Sequence, residues 1–242
     1  MDRMTHEEKE VEKIEVYRQP LFYRVCHWGI VSTFMVMGFL GWRIGSLYGV
    51  TFPNDLNLAL DIHLYLGFIF STFWIALFAF VILHEWEWFS PTRFPYATKF
   101  FIQEVLAWTH LGPHIEDPRG YDPEKKEYVE KLVPTEVTVL WMYLGLAALM
   151  AVTGFTLYYP SLLSPIIGIA DAIAPLLGVS DGDTLLSMIH RIGMYLFLMV
   201  MLMHVYAVII FDVVISMITG KNKERVKRST EEPQQDTNKS AH

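Results

Sequence analysis

Four long apolar runs, separated by polar and turn-rich stretches, lay out this chain of 242 residues. The runs cover residues 27–45, 58–83, 137–159 and 185–217. Each approaches or exceeds the roughly 20 residues that a helix needs to cross a bilayer. The expected fold class is all-α and integral to the membrane, a four-transmembrane-helix bundle filling residues 23–217 as one domain. Residues 1–22 form a polar lead. Residues from about 84 to 136 form the one sizeable connection outside the membrane, and residues from about 160 to 184 lie on the opposite surface. Residues 218–242 are a basic stretch beside the membrane, where anionic lipid would hold it, and then a polar tail expected to be disordered.

The connections carry their own signals. Pro53-Asn54-Asp55 marks a turn between the first two runs. The second run leaves the membrane in a wet aromatic belt, His84-Glu85-Trp86-Glu87-Trp88, which makes His84 interfacial rather than a ligand. Residues 96–110 mix apolar and polar positions at roughly helical spacing and suit either a helix on the membrane surface or one packed against a cytoplasmic loop or subunit. His110 and His114 straddle Gly112-Pro113, a loop signal that argues against a helical ligand pair. Residues 121–131 are expected to be a solvated charge run, and Thr153-Gly154 a local break in the third run. Residues 160–184 contain Pro160, Pro165 and Pro175 and two apolar pieces too short to cross.

Composition narrows the chemistry. The 52% hydrophobic content is high for a soluble domain, and the apolar residues come in long runs. The single cysteine, Cys26, rules out an internal disulfide, a cysteine-rich zinc site, a cysteine-ligated iron–sulfur cluster and covalent CxxCH haem attachment. All but two of the 19 lysines and arginines fall in the N-terminal lead, the middle connection or the tail; only Arg43 and Arg191 lie towards the other side. That bias puts both termini and the middle connection in the cytoplasm. The first 20 residues are polar and acidic, so no cleavable signal is expected, and the first run acts as its own insertion signal.

Ionisable residues inside the runs are the candidate chemistry, because they are costly there. His190 and His204 are 14 residues apart in the fourth run. A helix rises about 21 Å over that span and turns to within roughly 40° of whole turns, so both imidazoles share one stripe. With the orientation above, His27 and His204 lie at the cytoplasmic depth and His63 and His190 at the outer depth. Imidazole is a standard axial ligand of haem iron, and two bis-histidine haem b groups account for two level pairs with no membrane histidine left over. Two mononuclear metal sites, or a proton relay, are the alternatives. The chain shows no Ser/His/Asp set, no phosphate loop and no nucleotide fingerprint, and no nucleic-acid partner is expected.

The residues around these histidines resemble the b-type cytochrome subunit of membrane-bound nickel–iron hydrogenases, related to the gamma subunit of respiratory formate dehydrogenases and to di-haem cytochrome b561-like proteins. The resemblance spans residues 16–228 and rests on the lead Val16-Tyr-Arg-Gln-Pro20 into Arg24-Val-Cys-His27-Trp28, and on His63 with Gly67. It rests further on Val152-Thr-Gly-Phe-Thr-Leu-Tyr158, His190-Arg-Ile-Gly-Met194-Tyr, His204-Val-Tyr206 and Ile215-Ser-Met-Ile-Thr-Gly220.

The resemblance implies two non-covalent haems b, the outer ligated by His63 and His190 and the inner by His27 and His204. It implies hydrogenase small (iron–sulfur) and large (nickel–iron) subunits on the outer face, and a quinone or methanophenazine as electron acceptor. The acceptor's pocket would lie by the inner haem near Leu132-Val133-Pro134-Thr135-Glu136, with Glu136, Asp212, Arg24 and Tyr206 as candidate proton donors. The chain would be the electron-transfer subunit of a hydrogen:quinone oxidoreductase in the cytoplasmic membrane, not its catalytic subunit. Competing readings are a formate dehydrogenase gamma subunit, a free-standing quinol-oxidising cytochrome, and a non-redox transporter with buried histidines.

Overall fold

A computed structural model describes residues 12–113 and 115–228. His114, the first 11 residues and the polar tail lie outside the described residues. In chain order the elements are β1 (Lys13–Tyr17), α1 (Leu21–Ile44), α2 (Leu56–His84), α3 (Trp86–Phe89), α4 (Phe94–Trp108), β2 (Gly120–Asp122) and β3 (Glu127–Glu130). They continue with α5 (Thr135–Tyr158), α6 (Ser164–Ile173), α7 (Gly182–Ile210), α8 (Val214–Thr219) and β4 (Lys221–Arg225).

The helices α1, α2, α5 and α7 are long and apolar enough to cross a membrane. Pro20, which lacks an N–H, precedes α1. The Asp55 carboxylate opens α2 by accepting from Asn57 N at 2.9 Å, and Asp181 opens α7 by accepting from Thr184 N at 2.8 Å. Asp171 of α6 also accepts from Gly182 N at 2.7 Å, which ties α6 across the start of α7. A Cβ at Gly182 would sit 2.7 Å from that same carboxylate, so only glycine fits there.

Helix α1 packs on α2 and α5 on α7, with α2 touching α5 and α6 lying along α7. The main core lies between the crossing helices and includes Cys26, Phe34, Phe70, Trp74, Ala147 and Phe197. The outward faces stay apolar, for example Val36, Ile75 and Met199. Satisfied helical backbone under an apolar coat is what hydrocarbon solvent requires.

At one end the chain builds a small cap, which departs from the all-α expectation. β1 pairs antiparallel with β4, from Lys13 with Arg225 to Tyr17 with Lys221. β2 and β3 form a hairpin, and Tyr121 bridges to Val226. The lead before the first span, the connection after the second and the segment after the fourth are therefore knit together at one end, called here the basic end. The stretch after α8, expected to rest on lipid, is a strand in this cap. The expected solvated charge run is a hairpin whose flanking Asp122 and Lys131 are buried.

Two further expectations are corrected. The fourth apolar run is not one helix: α7 stops at Ile210, Asp212 takes a left-handed φ of 52° and α8 starts afresh. The cause is tertiary, because Arg119 donates to the Phe211 carbonyl at 3.0 Å from 92 residues away. The third run has no break at Thr153-Gly154, and α5 passes through both.

Candidate functional site

Four histidines from three spans meet as two pairs. At the end away from the cap, His63 of α2 faces His190 of α7 with ring centroids 6.3 Å apart. Towards the basic end, His27 of α1 faces His204 of α7, also at 6.3 Å. All four side chains are partly buried. The two rings from α7 share one stripe because 14 residues nearly complete four turns.

The local partners orient each ring. His63 Nδ1 lies 3.1 Å from the Met37 carbonyl, to which it can only donate. His190 Nδ1 lies 2.8 Å from Thr153 Oγ1. The Thr153 hydroxyl proton is already given to the Leu149 carbonyl at 2.7 Å, so its oxygen accepts from His190. Both Nδ1 atoms therefore carry the proton and both Nε2 atoms keep a free lone pair, the arrangement of metal-ligating histidine. His27 Nδ1 is buried without a hydrogen-bond partner among the described residues. His204 meets the edge of the Tyr143 ring at 6.1 Å.

Between the two pairs lies an aromatic layer. Phe34 stacks on Phe197 at 4.5 Å, and Phe70 and Tyr143 approach Phe197 at 5.9 and 5.1 Å. Sequence reasoning missed this layer, although its signal was present. His27, Phe34 and Gly41 are spaced by seven, as are His63, Phe70 and Leu77, and His190, Phe197 and His204. Seven residues are close to two turns, so each triplet marks one inward stripe.

The glycines beside the His63–His190 pair make room for it. A Cβ on Gly154 would lie 3.1 Å from His190 Cε1, and one on Gly41 would lie 3.8 Å from His63 Cε1. The Thr153-Gly154 step, expected as a break, is instead the seat of His190. His84 stacks on Phe80 at 4.6 Å and is exposed, and His110 is exposed with a left-handed φ of 58°; neither joins a pair.

The separation of the rings tests what could lie between them. A first-row metal binds imidazole nitrogen at about 2 Å, so two such bonds plus the distance from each nitrogen to its ring centre come to about 6 Å. The observed 6.3 Å matches in both pairs. Among the described residues no group of three or more His, Cys, Asp or Glu could hold a metal. Each pair alone would offer two imidazoles to a shared ion, a donor set that a macrocycle's nitrogens would complete.

The cap at the basic end holds buried ion pairs. Arg18 contacts Glu224 at 2.6 Å and donates to the Lys131 carbonyl at 2.6 Å. Lys131 pairs with Glu85 at 2.5 Å and Arg119 with Asp117 at 2.6 Å. Burial works against the Arg18 charge, but Glu224 beside it holds the pKa above the ordinary arginine value.

A four-span bundle with two stacked histidine pairs defines a membrane-embedded b-type cytochrome. The chain belongs to the prokaryotic cytochrome b561 family, whose model matches residues 18–220. It is accordingly a multi-pass membrane protein of a family that binds haem b and transfers electrons within the membrane. No curated protein matches the sequence.

Proposed function

We propose that this chain is a di-haem electron conduit that joins a nickel–iron hydrogenase to a lipid-soluble quinone-type carrier. The observation that carries the reading is the pair of 6.3 Å histidine couples on one α7 stripe. His63 and His190 would hold one haem b, and His27 and His204 the other. When bound, the two haems supply one-electron redox chemistry at two depths of the membrane. Met37 and Thr153 fix the outer imidazoles in the ligating tautomer. Phe34, Phe70 and Phe197 keep water out of the space between the pairs.

With one cysteine, the chain cannot bind an iron–sulfur cluster through four thiolates, so electrons from such a cluster come from another subunit. The resemblance around Thr153 and His190 favours the hydrogenase small and large subunits as that partner. They would dock at the end opposite the cap, outside the cytoplasmic membrane, and the carrier, a quinone or methanophenazine, would bind at the basic end. The concentration of lysine and arginine at that end supports a cytoplasmic location for it and for both termini.

The test is a reduced-minus-oxidised spectrum of the purified protein with a pyridine haemochrome assay. Two haems b per chain are expected, falling to one in His63→Ala and in His204→Ala. Folded protein without haem overturns the reading. Reduction by hydrogen in the co-purified complex supports the hydrogenase partner, and reduction by formate instead assigns the chain to a formate dehydrogenase.

A further inference from the structure

The buried ion pairs of the cap do not include Glu136. Arg18, Lys131 and Arg119 each already hold a carboxylate, on Glu224, Glu85 and Asp117. Glu136, partly buried in the first turn of α5, has no salt-bridge partner among the described residues. Its one hydrogen bond is a long one from Val133 N at 3.4 Å. Two turns further along the same face of α5, Tyr143 meets the His204 ring at 6.1 Å, and Glu136 lies within electrostatic reach of Arg18, Arg119, Asp117 and Tyr23 of α1. Tyr23 in turn feels Glu85 and Arg18. It precedes His27 by four residues, one helical turn on the same face.

We propose that Glu136 binds a proton when the His27–His204 site is reduced. The proposal rests on the haem reading above. An electron added at that depth places negative charge in a low-dielectric region, where it is costly. Arg18 and Arg119, the cations whose charge reaches Glu136, are fixed in ion pairs and cannot shift to offset it, whereas a carboxylate outside those pairs can be neutralised. In the coupled step the site gains one electron, and one proton from the water at the basic end forms an O–H bond to a Glu136 carboxylate oxygen. Charge in the region is unchanged. On reoxidation the proton leaves again. Asp117 and Arg119, whose charges reach Glu136, lie in the connection at the same end, and Arg119 Nη1 is buried without a hydrogen-bond partner among the described residues. The other titratable groups facing Glu136 are Tyr23 and, through Arg18 and Lys131, Glu224 and Glu85.

The test is a redox titration of the full-length, haem-loaded protein from about pH 4 to about pH 9, between the ordinary carboxylate value and that of deeply buried carboxylates. One of the two midpoint potentials should fall with pH, approaching 59 mV for each tenfold change in proton activity. Glu136→Gln should make it pH-independent at unchanged haem content, and Glu136→Asp should restore the slope. Redox-difference infrared spectra should show a protonated-carboxyl band on reduction that Glu136→Gln removes. A slope that survives in Glu136→Gln, or wild-type potentials flat with pH, overturns the role of Glu136 alone. Folded protein with no haem overturns the underlying reading as well.

Discussion

Thr153 and His190 lock each other across the α5–α7 interface. The threonine hydroxyl donates to Leu149 O at 2.7 Å within its own helix, which leaves its oxygen to accept from His190 Nδ1 at 2.8 Å. One proton thus has a defined place on the imidazole, whose ring lies 6.3 Å from that of His63. The back-bond of the threonine hydroxyl to the preceding turn is itself only a slight cost to the helix.

Replacing Thr153 by valine keeps the shape and removes the acceptor. Loss of such an outer partner typically lowers metal affinity by about 10–100-fold. We expect Thr153→Val to release haem from the His63–His190 site at concentrations where the His27–His204 site stays filled, and Thr153→Ser to bind as wild type. Haem titration followed by absorbance measures both. Equal loss from both sites would contradict the local role.

Two glycines beside the same pair should behave differently. At Gly154 an added Cβ meets His190 Cε1 at 3.1 Å, so the imidazole must give way. At Gly41 the nearest atoms are Met194 Sδ at 3.7 Å and His63 Cε1 at 3.8 Å, ordinary contact distances. Gly154→Ala should therefore broaden or shift the low-temperature absorption band of a haem held by His63 and His190, while Gly41→Ala should leave it unchanged. Matching spectra for the two variants would mean that α5 can back away from α7.

The four spans were legible because each is a long apolar run, and bilayer thickness converts length into topology. The expected runs and the observed helices differ by a few residues at most ends. The histidine pairs were legible for the same reason, since depth in a membrane follows from position in a span. The stop at Ile210 was not, because the run stays apolar to Met217 and the break is set by Arg119 from the middle connection. Nor was the cap: Lys13–Tyr17 and Lys221–Arg225 look solvated one at a time and become a sheet only when paired. Gly220 is the residue where that joint is most constrained. Its φ is 85°, and a Cβ there would lie 2.8 Å from the Tyr17 ring.

The Arg18–Glu224 pair should hold the cap closed. Both side chains are almost fully enclosed, at 2% and 3% exposure. Removing one partner of a buried pair leaves a stranded charge and typically costs about 3–5 kcal/mol, whereas replacing both by apolar residues is often neutral. Glu224→Gln and Arg18→Met are each expected to speed amide hydrogen exchange in β1 and β4 by orders of magnitude. Arg18→Met combined with Glu224→Leu should exchange more slowly than either single variant. Slow exchange in the single variants would show that the strand pairing alone holds the cap.

Acid should loosen the same cap from a second point. Burial pushes the Asp117 carboxyl up, but hydrogen bonds and charge from Arg119, aided by Arg225, outweigh it and hold the pKa below the ordinary aspartate value. A carboxyl depressed in the folded state contributes stability that is fully present above its unfolded value of about 3.9 and is lost as pH falls through the lower folded value. Arg119 also holds the Phe211 carbonyl that ends α7, so protonating Asp117 frees the residue that sets the α7–α8 break. Amide exchange at residues 211–214 should therefore accelerate below about pH 4, with wild type protected above it. Asp117→Asn should remove the pH dependence and exchange faster at neutral pH, because the amide cannot replace the charge. If the acid response persists in Asp117→Asn, the group that titrates is another carboxylate of the cap.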